Sequence, residues 1–212
     1  MVFSTMAKAQ DWPNLARYRD ANEKIKQDKT KTAAIFMGDS ITDGWINSSS
    51  DFFSQNNYLD RGISGQTSPQ MLVRFRADVL DLKPKAVVIL CGINDIAGNT
   101  GPSTLKMIED NIMSMAQLAK ASNIKVVICS VTPSNKFGWK PELKPADDII
   151  TLNKWIAEYA KENRFTFANY YPALVNDAKG MKTEYSKDGV HPTKEGYTVM
   201  ESVIQPILKK IL

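Results

Sequence analysis

A nucleophile, a proton carrier and a carboxylate can be picked out of this chain by residue type and spacing. The proton carrier is the plainest, because His191 is the one histidine among 212 residues. With a reference pKa near ~6.5, an imidazole takes and returns a proton near neutral pH. Asp188 stands three residues earlier, in Asp188-Gly189-Val190-His191-Pro192, so one turn can bring its carboxylate to the ring. There it would orient the imidazole and stabilise the imidazolium that forms. The nucleophile is Ser40, inside the stretch Ala33 to Gly44, AAIFMGDSITDG. A serine hydroxyl is a poor nucleophile near neutral pH and needs such a base beside it. Two further stretches offer donors for an oxyanion: Gly62-Ile63-Ser64-Gly65-Gln66-Thr67 and Gly92-Ile93-Asn94-Asp95. The Ser40 N–H, the Gly65 N–H and the Asn94 amide make three, and losing one such donor typically costs about 10²–10³ in rate.

Each of these residues also has a plainer use. Gly38-Asp39-Ser40 and Asp188-Gly189 are common turn sequences. Asn94-Asp95 would serve as a cap, and Gly65 would serve a positive φ angle. A lone histidine is often structural. Asp39 and Asp43 near the serine suggest a metal, but one histidine and no acidic cluster make a poor ligand set. No metal or organic cofactor is expected. Asp39, Trp45 and Trp139 are candidate substrate contacts, the tryptophans because they fall in expected loops, where packing is the competing role.

The elements that must position these residues alternate along the chain. Asp11 to Lys29 reads as a helix, with Leu15, Tyr18 and Ile25 on one face. Ala33–Met37 is a buried strand. Gly44 to Gln55 is irregular or weakly helical and reads as a lid. Asn57–Arg61 is a second strand, and Ser68-Pro69 opens a helix, serine at the cap and proline in the first turn. Met71, Leu72, Phe75 and Val79 form its apolar face. Ala86–Cys91 is a buried strand. Ser103 to Ala121 is an amphipathic helix with Leu105, Ile108, Ile112, Met115 and Ala119 at steps of three and four. Lys125–Cys129 is the next strand. A long loop, Val131 to Pro145, carries three prolines, Phe137 and Trp139. Asp147 to Glu162 is a helix, Phe165–Asn169 a short strand, and Thr193 to Leu212 the closing helix, with Pro206 as a place to bend. Such alternation predicts a parallel sheet covered on both faces, in one domain over residues 11–212. Ligands in such sheets bind at the C-terminal strand ends, where the four motif stretches lie.

Composition narrows the class. Hydrophobic content of 43%, charged content of 24% and a net charge of +4 suit a globular chain. The lysines are scattered without interleaved aromatics, so no nucleic-acid partner is expected. No apolar run approaches the ~20 residues of a membrane span. Cys91 and Cys129 sit in apolar runs and read as reduced, buried residues. Residues 1–10 read as a remnant of a signal peptide, with Ala7-Lys8-Ala9 as the small-x-small site, or as an N-terminal arm. The first reading implies export to the periplasm or beyond, the second a cytoplasmic protein.

Taken together, the four stretches in this order resemble the SGNH hydrolases, the GDSL lipase/acylhydrolase family. Ile41 stands where the GDSL name has leucine, and Ile93 stands where threonine often precedes the asparagine. Gly-x-Ser-x-Gly is absent around Ser40, so the α/β-hydrolase elbow does not apply. The resemblance implies a flavodoxin-like three-layer α/β/α fold with strand order 2-1-3-4-5. It implies Ser40 as nucleophile, His191 as base, Asp188 as its orienting carboxylate, and Ser40, Gly65 and Asn94 as the oxyanion hole. The Gly-Ile-Ser-Gly turn looks most like the subgroup resembling platelet-activating-factor acetylhydrolase, which implies short acyl groups, chiefly acetyl, on a carbohydrate or small alcohol. The rival readings are a lysophospholipase or thioesterase, an acyltransferase using the same residues, and a binding module that kept the fold.

Overall fold

A computed structural model describes residues 10–212; the leader or arm expected over residues 1–9 lies outside them. Five strands form one parallel sheet in the order β2-β1-β3-β4-β5. They are β1 (Ala34–Gly38), β2 (Tyr58–Gly62), β3 (Ala86–Leu90), β4 (Lys125–Cys129) and β5 (Thr166–Ala168). Every residue of β1 and β3 is buried, as expected of strands covered on both faces. Between them run α1 (Arg19–Asp28), the short helices α2 (Ser40–Asp43), α3 (Trp45–Ser48) and α4 (Ser50–Ser54), then α5 (Ser68–Asp78), α6 (Ile93–Ile96), α7 (Leu105–Ala121), α8 (Ala146–Asn163), α9 (Tyr171–Leu174) and α10 (Lys194–Ile211). Among the described residues no helix is long and apolar enough to cross a membrane. Cys91 and Cys129 are free and buried, as expected.

The register sets up the site. Gly38 pairs with Gly62 on one side and with Leu90 on the other. Three neighbouring strands therefore end level, and the motif that follows each begins at one rim. Gly62 is needed there: a Cβ on it would stand 2.1 Å from the Asp43 nitrogen, so α2 packs directly on the strand end.

Two stretches differ from the sequence expectation. The helix expected from Asp11 begins only at Arg19, because the backbone before it is used otherwise. The Asp11 carboxylate accepts from Leu15 and Ala16 N–H, and Asn14 has a φ of 54°. The Trp12 and Pro13 carbonyls accept from the Gln70 and Gln66 side chains. Leu15, expected on the core face, is exposed in this strap. Gly44 to Gln55 is no lid. It folds as α3 and α4, and its aromatics enter the core, where Trp45 stacks on Phe52 at 5.6 Å and on Tyr197 at 5.4 Å. The aromatic area removed from water there outweighs the weak helical propensity of the serines and asparagines. Smaller shifts follow local chemistry. Thr67, not Ser68, caps α5, its N–H bonded by Gln70 Oε1 at 3.0 Å. Thr104 caps α7, and α10 continues through Pro206.

Candidate active site

Ser40 is the first residue of α2, two positions beyond the end of β1. Asp39 caps that turn, its Oδ1 accepting the Ile41 N–H at 2.9 Å. The Ser40 hydroxyl faces His191, with Oγ and Nε2 2.9 Å apart. On the far side of the ring, His191 Nδ1 lies 2.6 Å from Asp188 Oδ2. The neutral imidazole with its hydrogen on Nδ1 satisfies both contacts: it donates to the carboxylate and accepts from the serine. Ser40 thus joins Asp188 and His191, from the other end of the chain, in one hydrogen-bonded relay.

The Asp188 turn is held by its own loop. Asp188 Oδ1 accepts from the Val190 and His191 N–H groups, at 2.9 and 2.8 Å, and from Ser186 Oγ at 3.1 Å. Ser186 Oγ in turn accepts the Gly189 N–H at 2.9 Å. Partial burial pushes the Asp188 carboxyl up, but the hydrogen bonds from the His191 ring and from the His191 and Val190 backbone outweigh it and bring it to about 2. The carboxylate is therefore ionised at neutral pH. The pair stands open to solvent, with the His191 side chain 42% exposed.

The donor side is built more deeply. Asn94 is buried on α6, just past the end of β3. Its Nδ2 donates to the Gln66 carbonyl at 3.0 Å, and its Oδ1 accepts from Asn99 Nδ2 at 2.8 Å. Those bonds fix which end of the amide is nitrogen, and they leave one Nδ2 hydrogen without a partner among the described residues. Gly65 sits at φ 79°, in the left-handed region that favours glycine. Neither its N–H nor the Ser40 N–H donates to another group among the described residues. The turn before Gly65 is tied to the nucleophile block by Ser64 Oγ, which donates to Asp43 Oδ2 at 2.6 Å. Asp95 ties the third block to α5, accepting the Ser68 N–H at 3.0 Å and its hydroxyl at 2.5 Å.

Two of the candidate substrate contacts are corrected. Asp39 and Trp45 are each 1% exposed. Asp39 lies beneath Ser40, where burial, with the Asp95 charge adding to it, pushes its carboxyl up to about 7. Trp45 is part of the core and donates from Nε1 to Glu201 at 3.0 Å. Both are buried beside the site: Asp39 caps the turn that carries Ser40, and Trp45 packs among Phe36, Phe52 and Tyr197. Trp139 remains available: it is 46% exposed and stacks on the buried Phe137 at 5.1 Å. Its loop is anchored to the third block by Lys140 Nζ, which donates to the Ala97 carbonyl at 2.6 Å.

Sequence reasoning passed over Gln66 as an orienter of Asn94, and over Asn99, Ser186 and Arg74. Arg74 is fully buried and donates to Asp78 at 2.9 Å, to Gln66 Oε1 at 2.6 Å and to the Gly38 carbonyl at 3.0 Å. A signal for it exists: Gln70, Arg74 and Asp78 follow at steps of four on a helix whose apolar stripe they flank. Asn99 and Ser186 carry no comparable signal.

Known proteins share this sequence pattern and fold. The sequence model of the GDSL-like lipase/acylhydrolase family matches residues 36–199. The fold superposes on the crystal structure of a candidate acylhydrolase from Bacteroides fragilis with a TM-score of 0.91, at 45% identity over 95% of this chain and 99% of that one. A GDSL-like lipase from Bacteroides thetaiotaomicron gives 0.89, at 46% identity over 94% and 99%. The esterase TesA of Pseudomonas aeruginosa is 25% identical over 89% of this chain and 93% of its own length. Since the family match runs unbroken from the first strand into the last helix, the chain belongs to the GDSL-like lipase/acylhydrolase family, the SGNH hydrolases, and is an ester-hydrolysing enzyme.

Proposed function

We propose that the protein is a serine esterase that removes short acyl groups, chiefly acetyl, from a carbohydrate or small alcohol through an acyl-enzyme on Ser40. The observation that carries this reading is the relay of Ser40 Oγ, His191 Nε2 and Asp188 at 2.9 and 2.6 Å. Ser40 Oγ attacks the ester carbonyl while its proton passes to His191 Nε2. Asp188 stabilises the imidazolium without taking its proton. The Ser40 and Gly65 N–H groups and the free Asn94 amide hydrogen receive the oxyanion. His191 returns the proton to the leaving alkoxide oxygen, the C–O bond breaks, and the alcohol departs. Water then attacks the acyl-enzyme, giving its proton to the same nitrogen, and collapse of the second tetrahedral intermediate releases the acid and restores Ser40.

The solvent-open imidazole favours water as the second nucleophile over a sugar, hence hydrolysis over transfer. The short-acyl reading is supported by the Gly62-Ile63-Ser64-Gly65 turn, which resembles that of the platelet-activating-factor acetylhydrolase subgroup. The exposed face of Trp139 suits a sugar ring. Export is proposed on the leader-like residues 1–9, and the mass of the mature protein from its host tests it.

The test is hydrolysis of p-nitrophenyl esters from acetyl to octanoyl by wild type and Ser40→Ala. Acetyl turnover that declines with chain length and disappears in the variant is expected. Rates that climb steadily toward octanoyl would overturn the short-acyl reading, and undiminished turnover by Ser40→Ala would overturn the serine mechanism. Fluorophosphonate labelling of wild type but not of Ser40→Ala is the second readout.

A further inference from the structure

A cavity of ≈ 540 Å³ lies at the seam between the 131–145 loop and the 175–191 loop and reaches Asp188 and Gly189. It opens against the carboxylate end of the relay. Phe137, wholly buried, forms part of its wall, and three lysines line it: Lys136, Lys144 and Lys187. None of the three pairs with a carboxylate among the described residues, whereas Lys24, Lys26, Lys106 and Lys179 each do. The neighbouring Asp147 is occupied by Lys179 at 2.8 Å. Asp188 is the one carboxylate on the cavity wall, and its oxygens are committed to His191, Val190 and Ser186. Three lysine charges against the one Asp188 carboxylate leave the cavity wall net positive. Its walls are fixed: Asn135 Nδ2 donates across the seam to the Ala178 carbonyl at 3.0 Å, and Ser134 Oγ holds the Lys136 carbonyl at 2.8 Å.

Position gives the cavity its meaning. An imidazole that protonates the leaving oxygen must have the alcohol half of the ester on its own side of the serine. The cavity meets the relay at Asp188, on the far side of the ring from Ser40, so an alcohol half long enough to pass the ring reaches it. We propose that it is a subsite for an anionic group, a carboxylate or a phosphate, carried by the alcohol half of the ester. On the serine-esterase reading above, on which this inference rests, the substrate class becomes an O-acetylated acidic sugar or a comparable acidic alcohol. Lysines suit this role as point charges on flexible stems, which accept an anion without demanding one geometry.

Matched pairs of acetyl esters test it: 4-acetoxybenzoate against its methyl ester, and an O-acetyl hexose 6-phosphate against the unphosphorylated O-acetyl hexose. Wild type should favour the anionic member of at least one pair, and which pair responds identifies the anion. The variant Lys136→Gln/Lys144→Gln/Lys187→Gln should lose about tenfold in kcat/KM on that anionic ester, mainly through KM, with the neutral ester unchanged. Added salt should weaken the anionic preference of wild type and leave the variant indifferent. No preference in wild type for either anion, or an equal loss on anionic and neutral esters, overturns the subsite while leaving the serine reading standing. Undiminished turnover by Ser40→Ala overturns the serine reading, and the subsite with it.

Discussion

Replacing Asp39 by asparagine should make the protein more stable at mildly alkaline pH, although Asp39 adjoins the nucleophile. The Asp39 carboxyl is 1% exposed. Burial raises it from 3.8 to about 7, with the Ile41 N–H pulling it down and the Asp95 charge pushing it further up. Between those two values the unfolded chain has released a proton that the folded chain retains. Stability therefore falls as pH rises through that window, by about 1.4 kcal/mol per pH unit. Above pH 7 the full difference applies, on the order of 4 kcal/mol. Asparagine has the same shape, keeps an oxygen for the Ile41 N–H, and does not ionise. The stability difference between variant and wild type should move in the variant's favour by about 3 kcal/mol between pH 5 and pH 8. Urea unfolding at both pH values measures it, provided the m-values agree. The comparison must be between proteins, because burial also raises Asp95 and Asp60 and both add to the wild-type slope. Parallel pH curves for the two proteins would refute the reasoning, since they would mean that Asp39 titrates alike folded and unfolded.

Three further perturbations address other parts of the site. Asn94→Ala should lower kcat by about 10²–10³ with KM little changed, because the lost donor acts on the oxyanion and not on the ground-state ester; steady-state kinetics on p-nitrophenyl acetate reads the split. Arg74→Met should cost about 3–5 kcal/mol in urea unfolding, since it leaves the buried Asp78 carboxylate without its cation and the Gly38 carbonyl without a donor. Gly62→Ala, whose Cβ would meet the Asp43 nitrogen at 2.1 Å, should cost about 1–3 kcal/mol by overpacking. The same change should lower kcat, because α2 must shift and Ser40 is its first residue; an unchanged kcat would show that α2 gives way without moving the hydroxyl.

The strands and the long helices were legible because their signals are local and repeated. Ala86–Leu90 is an apolar run that a parallel sheet demands, and α7 repeats its apolar positions every three or four residues. The candidate site was legible for a different reason: each of these motifs directly follows a strand, so strand order alone brings Ser40, Gly65 and Asn94 to one rim. What escaped depends on side chains meeting across the chain. Trp45 looked like a loop aromatic because nothing near it in sequence reveals Phe36, Tyr170 and Tyr197, the rings it packs against. The Asp11–Tyr18 segment has helical spacing, yet its carbonyls are claimed by Gln66 and Gln70, more than fifty residues away. Propensity is a weak prior wherever such distant partners compete for the backbone.

The two halves of the site are held in different ways, and the chemistry accounts for the difference. Oxyanion donors contribute only if they are in place before charge develops, since reorganising them during the reaction forfeits their advantage. The proposed donors rest here on buried strand ends and on a buried side chain: Arg74 bonds the carbonyl two residues before Ser40 and also bonds Gln66, whose own carbonyl orients Asn94. One guanidinium thus touches the strand before Ser40 and the residue that connects the two proposed oxyanion blocks. The acid–base pair has the opposite requirement. Its imidazole must exchange protons with a departing alcohol and an arriving water, and both need access. Asp188 and His191 accordingly stand on an exposed loop, oriented by short-range bonds within the stretch 186–191. That local set is sufficient because a base needs only a fixed distance to Ser40 and a fixed tautomer, and the Asp188 contact supplies the tautomer without burying the pair.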